Sequence, residues 1–144
     1  MDFFQEPGNL FISLMLLFPA IAIVNSLFFG SKLKQFARRI RIFSSYDDIV
    51  LFQHVVSQQM YAALVQMVLL VIPAILFVVG VLRGYLDISA LVYVVVPSLV
   101  ILACGIAFKK VEQQVRSIPA RDEDLERQRD AIVTTWIRRA LPDW

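Results

Sequence analysis

Three runs without a single Asp, Glu, Lys or Arg divide the chain: 10–29, 62–82 and 88–108, of 20, 21 and 21 residues. About 20 consecutive apolar residues are what a helix needs to cross a bilayer core. A helix buried in a soluble protein normally keeps a polar face toward water, and these runs have none. In lipid every backbone N–H and C=O must find its partner inside the segment, which selects helix. The pattern therefore predicts an all-α integral membrane protein with three transmembrane helices. Each run holds one proline, Pro19, Pro73 or Pro97, which reads as a mild kink. A proline costs about 3 kcal/mol inside a soluble helix, but neighbouring spans can take up the carbonyl it frees.

The flanking charges give an orientation. Segment 1–9 carries Asp2 and Glu6 and no basic residue, whereas Lys32, Lys34, Arg38, Arg39 and Arg41 follow the first run. Lys109, Lys110 and Arg116 follow the third. Basic residues stay on the cytoplasmic side, so the N-terminus is expected outside and the C-terminus in the cytoplasm. A secretory signal would place its positive charge ahead of the apolar run; the first span is therefore read as a retained anchor. The external hairpin 83–87 is short enough to make spans two and three antiparallel neighbours, with Gly84 closing one helix and Asp87 capping the next.

Segment 30–45 has Leu33, Phe36, Ala37, Ile40 and Phe43 at helical spacing with the basic residues opposite. It reads as a short amphipathic helix lying in the headgroup region. Lys32, Lys34, Arg38, Arg39 and Arg41 are its candidate contacts to anionic phospholipids, at about 1 kcal/mol each. Ser45 and Asp48 then form a capping pair, opening a helix over 46–82 that begins in the cytoplasm and enters the membrane. Ile49, Phe52, Val56 and Met60 line one side of it. The third span likewise continues over 88–118 through Val111, Val115 and Ile118. The tail, 119–144, contains a further amphipathic helix at 121–141. Asp122, Glu123, Asp124 and Glu126 sit at its start and Arg138 and Arg139 at its end, as the helix dipole favours. Glu123 and Arg127 make an i, i+4 pair. Its stripe of Leu125, Ile132, Val133, Trp136 and Ile137 is the candidate partner-binding surface, with Trp136 the expected anchor.

Composition adds exclusions. The chain of 144 residues is 58% hydrophobic and 18% charged; since the three runs are uncharged, every charge lies in the leading segment, the loops, the helix extensions and the tail. One cysteine cannot form an internal disulfide, and one cysteine with one histidine offers no metal-ligand spacing. No phosphate-binding glycine motif and no nucleophile–base pair is present, so neither a cofactor nor an enzymatic activity is expected. Within the spans the informative polar residues are Asn25, Ser26 and Gln66, read as interhelical contacts. The absence of charged residues there argues against a proton pump acting alone.

The stretch LLFPAIAIVNSLFFGSKLKQFARRIRIF, followed by two spans and a charged tail, resembles a bacterial three-span membrane family described only as a domain of unknown function. The resemblance implies no activity. The topology is also similar to TolQ/ExbB-type motor proteins, although the first cytoplasmic segment is much shorter here and no pore-lining threonine stands in a span. Class I phage holins share three spans and a charged tail, but they are usually shorter. The reading that follows is a small non-enzymatic subunit of the bacterial inner membrane. Its expected partners are other membrane-protein subunits, or further copies of itself, together with anionic phospholipids; nucleic acid is not expected. A homo-oligomeric pore and a lipid- or quinone-binding component of a transporter or membrane enzyme are the alternatives.

Overall fold

The computed structural model describes residues 7–142 and 144; Asp2 and Glu6 of the acidic leading segment lie outside them. The order is α1 (Pro7–Arg39), α2 (Tyr46–Leu82), a 3-10 turn (Ile88–Leu91), α3 (Val92–Arg116) and α4 (Glu123–Arg138). The described residues are all-α, and three helical stretches, Pro7–Arg39, Tyr46–Leu82 and Ile88–Arg116, are long and apolar enough to cross a membrane. The chain is a multi-pass membrane protein. Pro19, Pro73 and Pro97 lie inside continuous helices, and no peptide bond among the described residues is cis.

The chain divides into two compact units, 1–26 with 65–105, and 27–64 with 106–144. Most large apolar side chains of the first unit are exposed, among them Val24, Leu82 and Leu102. That is the arrangement lipid-facing helices require, because lipid tails are as apolar as the side chains. Its small core holds Met15, Leu86 and Ala90, with Phe11, Leu76 and Phe77 against them. The hairpin is closed by glycine chemistry. Gly84 has φ +72°, and the N–H groups of Tyr85 and Leu86 both donate to the Gly80 carbonyl at 2.9 and 3.2 Å. Gly8 packs directly on the same hairpin, since a Cβ there would lie 2.7 Å from the Tyr85 carbonyl oxygen. Asp87 holds the cap position of the following 3-10 turn, but its side chain makes no cap bond. The turn is closed by backbone instead, Ala90 N–H donating to the Asp87 carbonyl at 2.9 Å.

The second unit has a conventional protein core. Leu33, Phe36, Ile40 and Phe43 cluster with Ile49, Phe52, Val56 and Met60 of α2, Val115 and Ile118 after the third span, and Leu125 and Ile132 of α4. Phe52 is its hub. Its ring lies 5.7 Å from Phe36, 5.3 Å from Phe43 and 6.4 Å from Trp136, centroid to centroid. The two linkers pair through a single parallel bridge between Phe43 and Ala120. Phe43 N–H donates to the Pro119 carbonyl, and Arg121 N–H to the Phe43 carbonyl, both at 2.9 Å. Buried linker backbone is thereby satisfied without helix or sheet.

Segment 30–45 departs from its expected form. It is not a separate surface helix: α1 runs unbroken through Gly30 to Arg39. Gly30 is a packing site and not a breaker, because a Cβ there would fall 2.5 Å from the Phe108 ring. The apolar face expected to meet lipid, Leu33, Phe36, Ile40 and Phe43, is buried in the protein core. α3 ends at Arg116, two residues before the expected 118. α4 is shorter than 121–141, because Asp122 takes the N-cap, its carboxylate accepting from Leu125 N–H at 3.0 Å. At the start of α2, one Asp48 carboxylate oxygen accepts from the backbone N–H of Ser44 at 2.9 Å and of Ser45 at 3.2 Å. These bonds, with Ser44 backbone first, hold the Asp48 carboxyl below its ordinary range.

Candidate interaction surfaces

The tail stripe proposed for a partner is taken largely by its own chain. Leu125 and Ile132 are buried and Val133 and Trp136 pack against the same core, while Ile137 is 58% exposed. Helical geometry accounts for the difference: at 3.6 residues per turn Trp136 lies about 20° and Ile137 about 120° around the helix from Leu125. Trp136 is held on two sides, by the Phe52 ring and by the Arg116 guanidinium 4.7 Å from its ring centroid. Arg116 is in turn paired with Glu112, one turn back. Arg129 lies on the same face of α4 as Trp136, two turns earlier, and fixes the helix there. Its side chain is only 12% exposed, it donates to the Ile118 carbonyl at 3.0 Å, and it pairs with Glu126 and Asp130. What remains open is a groove of about 400 Å³ between the start of α2 (Tyr46, Gln53) and α4 (Gln128, Thr135), bordered by Trp144. Trp144 Nε1 donates to Ser57 Oγ at 3.2 Å.

The basic residues of α1 do not form one class. Lys34, Arg38 and Arg41 are exposed and make no hydrogen bond or ion pair among the described residues; Arg39 is exposed too. Lys32 is half-buried. Its ammonium lies 4.6 Å from the Phe28 ring centroid and 5.5 Å from that of Phe29, and it donates to Gln58 Oε1 at 3.3 Å. Gln58 also meets His54 Nε2 at 2.9 Å. Gln59 donates to the Phe29 carbonyl at 2.7 Å. Two polar side chains of α2, Gln58 and Gln59, thus bond to this turn of α1, and His54 backs Gln58.

Of the intramembrane polar residues, Ser26 and Gln66 meet: Ser26 Oγ donates to Gln66 Oε1 at 2.8 Å. Asn25 is half-buried beside them in sequence. Cys104 is a free thiol, and among the described residues no three His, Cys, Asp or Glu side chains gather at a metal-binding distance. Sequence reasoning missed the Phe43–Ala120 bridge, the anchoring role of Arg129 and the special position of Lys32. The only available signal for the last was an aromatic pair one turn before the first basic residue of the chain. Comparison with protein-family models, curated proteins and solved structures gives no match.

Proposed function

We propose that the protein is a non-enzymatic accessory or scaffolding subunit of a larger complex in the bacterial inner membrane. Its N-terminus is outside, its C-terminus is in the cytoplasm, and partners meet its spans and its cytoplasmic helices. The observation that carries this reading is the pair of small residues, Ala103 and Ala107, on the lipid-exposed face of α3. Leu99, Leu102 and Ile106 are 58–64% exposed, and Ala103 and Ala107 beside them are exposed as well. These residues recur at i, i+3, i+4, i+7 and i+8, one continuous stripe. Two small residues four apart let a second helix approach closely, which is how helices associate in lipid. Only 6% of the most apolar window of this span is buried, against 17% for the first span. A neighbouring subunit on that stripe gives the third span the contacts its own chain does not.

The pore reading is less well supported, because Ser26 donates to the Gln66 amide oxygen within one chain. Extraction in a mild detergent followed by mass measurement tests the proposal. The expected result is an assembly containing other subunits, with Ala103→Phe releasing this chain from it. A monomer on extraction would contradict the proposal, and a homo-oligomer that conducts ions in liposomes would replace it with the pore.

A further inference from the structure

We infer that Lys32 is the centre of a phosphate site that takes the headgroup of an anionic phospholipid. The inference rests on the membrane spans and not on the subunit reading above.

The first observation is a cation without a counter-charge. A lysine ammonium has three donors. Lys32 spends one of them, on a neutral amide oxygen at 3.3 Å, and among the described residues no carboxylate pairs with it. The sequence supplies none nearby on α1: from 7 to 46 there is no Asp or Glu at all. The closest acid beyond the third span, Glu112, is engaged by Arg116.

The second observation is that this cation is held in place. Long lysine side chains are usually mobile, and ordering one costs up to about 2 kcal/mol. Here the faces of Phe28 and Phe29 and the Gln58 amide fix the ammonium before any ligand arrives. The rings also shield one side of it from water, which strengthens its attraction for an anion on the open side.

Depth identifies the anion. The apolar run ends at Phe29, ahead of Gly30 and Ser31, so Lys32 stands about 4.5 Å beyond it along the helix at 1.5 Å per residue. The headgroup layer extends about 5–7 Å beyond the hydrocarbon on each side, which puts the ammonium at the level of lipid phosphates. Arg38 is about 9 Å beyond Lys32, outside that layer. The continuity of α1 to Arg39 thus separates residues that a flat-lying helix would have held at one depth. Cationic side chains at such positions on spanning helices are the ordinary readers of anionic headgroups.

The test uses the full chain in mild-detergent micelles, with bound lipid counted by native mass spectrometry. Phosphatidylglycerol is expected to be retained at about fivefold lower concentration than phosphatidylcholine. Lys32→Gln should abolish that preference, Lys32→Arg should keep it, and Arg38→Gln, with the same loss of charge, should leave it unchanged. Phe28→Leu, at a 55% exposed position whose loss does not threaten the fold, should weaken it about twofold by removing one ring face. It decides the matter if Lys32→Gln fails to fold. Equal losses in Lys32→Gln and Arg38→Gln would show a diffuse charge effect and overturn the site. So would a wild-type protein with no preference, or a Phe28→Leu protein that binds as wild type. Displacement of the lipid by millimolar inorganic phosphate would assign the site to a soluble phosphate and overturn the lipid assignment.

Discussion

Replacing Phe52 with alanine is expected to lower the stability of the unit formed by 27–64 and 106–144 by about 3–5 kcal/mol. Phe52 is fully buried, and its ring meets Phe36, Phe43 and Trp136. Truncation removes the transfer free energy of the ring and leaves a cavity that three other aromatic side chains border. They cannot all close it, since each is fixed by a different segment. Phe43 is held by the linker bridge and Trp136 by α4 and Arg116. Phe52→Leu, which keeps most of the volume, should cost less than about 1.5 kcal/mol. Unfolding by denaturant in micelles, followed by tryptophan fluorescence, measures both. A Phe52→Ala midpoint equal to that of a control at exposed Val50 would show that the aromatic cluster does not hold this unit together.

Arg129→Ala is expected to cost about 2 kcal/mol, the range for a hydrogen bond to a charged group, and to loosen α4. Arg129 bridges α4 to the buried Ile118 through its carbonyl while two carboxylates balance its charge. Without it the Ile118 carbonyl loses its donor, and the helix loses its tether two turns before Trp136. Limited proteolysis should then cut within 117–122 at a rate the wild type does not show. Arg127→Ala is the control. Its pair with Glu123 is more than 70% exposed on both sides, and such pairs are worth less than about 1 kcal/mol. Equal protease sensitivity in the two variants would remove Arg129 from its anchoring role.

The contrast between these two arginines shows where reading the sequence stops. Both sit in a charged helix with acids one turn away, and nothing in one dimension tells an exposed pair from a buried tether. The spans were legible because the length of an uncharged run is itself the physical requirement for crossing a bilayer. The apolar periodicity of α2 and α4 was legible for a similar reason: which face is buried follows from helical geometry alone. The Phe43–Ala120 bridge was not, because it joins linkers 77 positions apart through backbone atoms that every residue possesses. The continuity of α1 was misread for a related reason. A face of Leu33, Phe36 and Ile40 opposite basic residues fits a helix on the membrane surface as well as one packed against α2. Lys32 could be named with the other basic residues, but only the placement of Phe28, Phe29 and Gln58 separates it from them.

We propose that the chain crosses the membrane three times, with the C-terminal ends of α1 and α3 on the cytoplasmic side. Single cysteines placed in a Cys104→Ser background test it most directly. Asp87→Cys lies in the hairpin, Gln35→Cys on the last part of α1 and Ser117→Cys just after α3, all at exposed positions. In intact cells a membrane-impermeant maleimide should label Asp87→Cys alone, and should reach Gln35→Cys and Ser117→Cys only once the membrane is opened. Labelling of Asp87→Cys and Ser117→Cys from the same side would contradict the third crossing and with it the account.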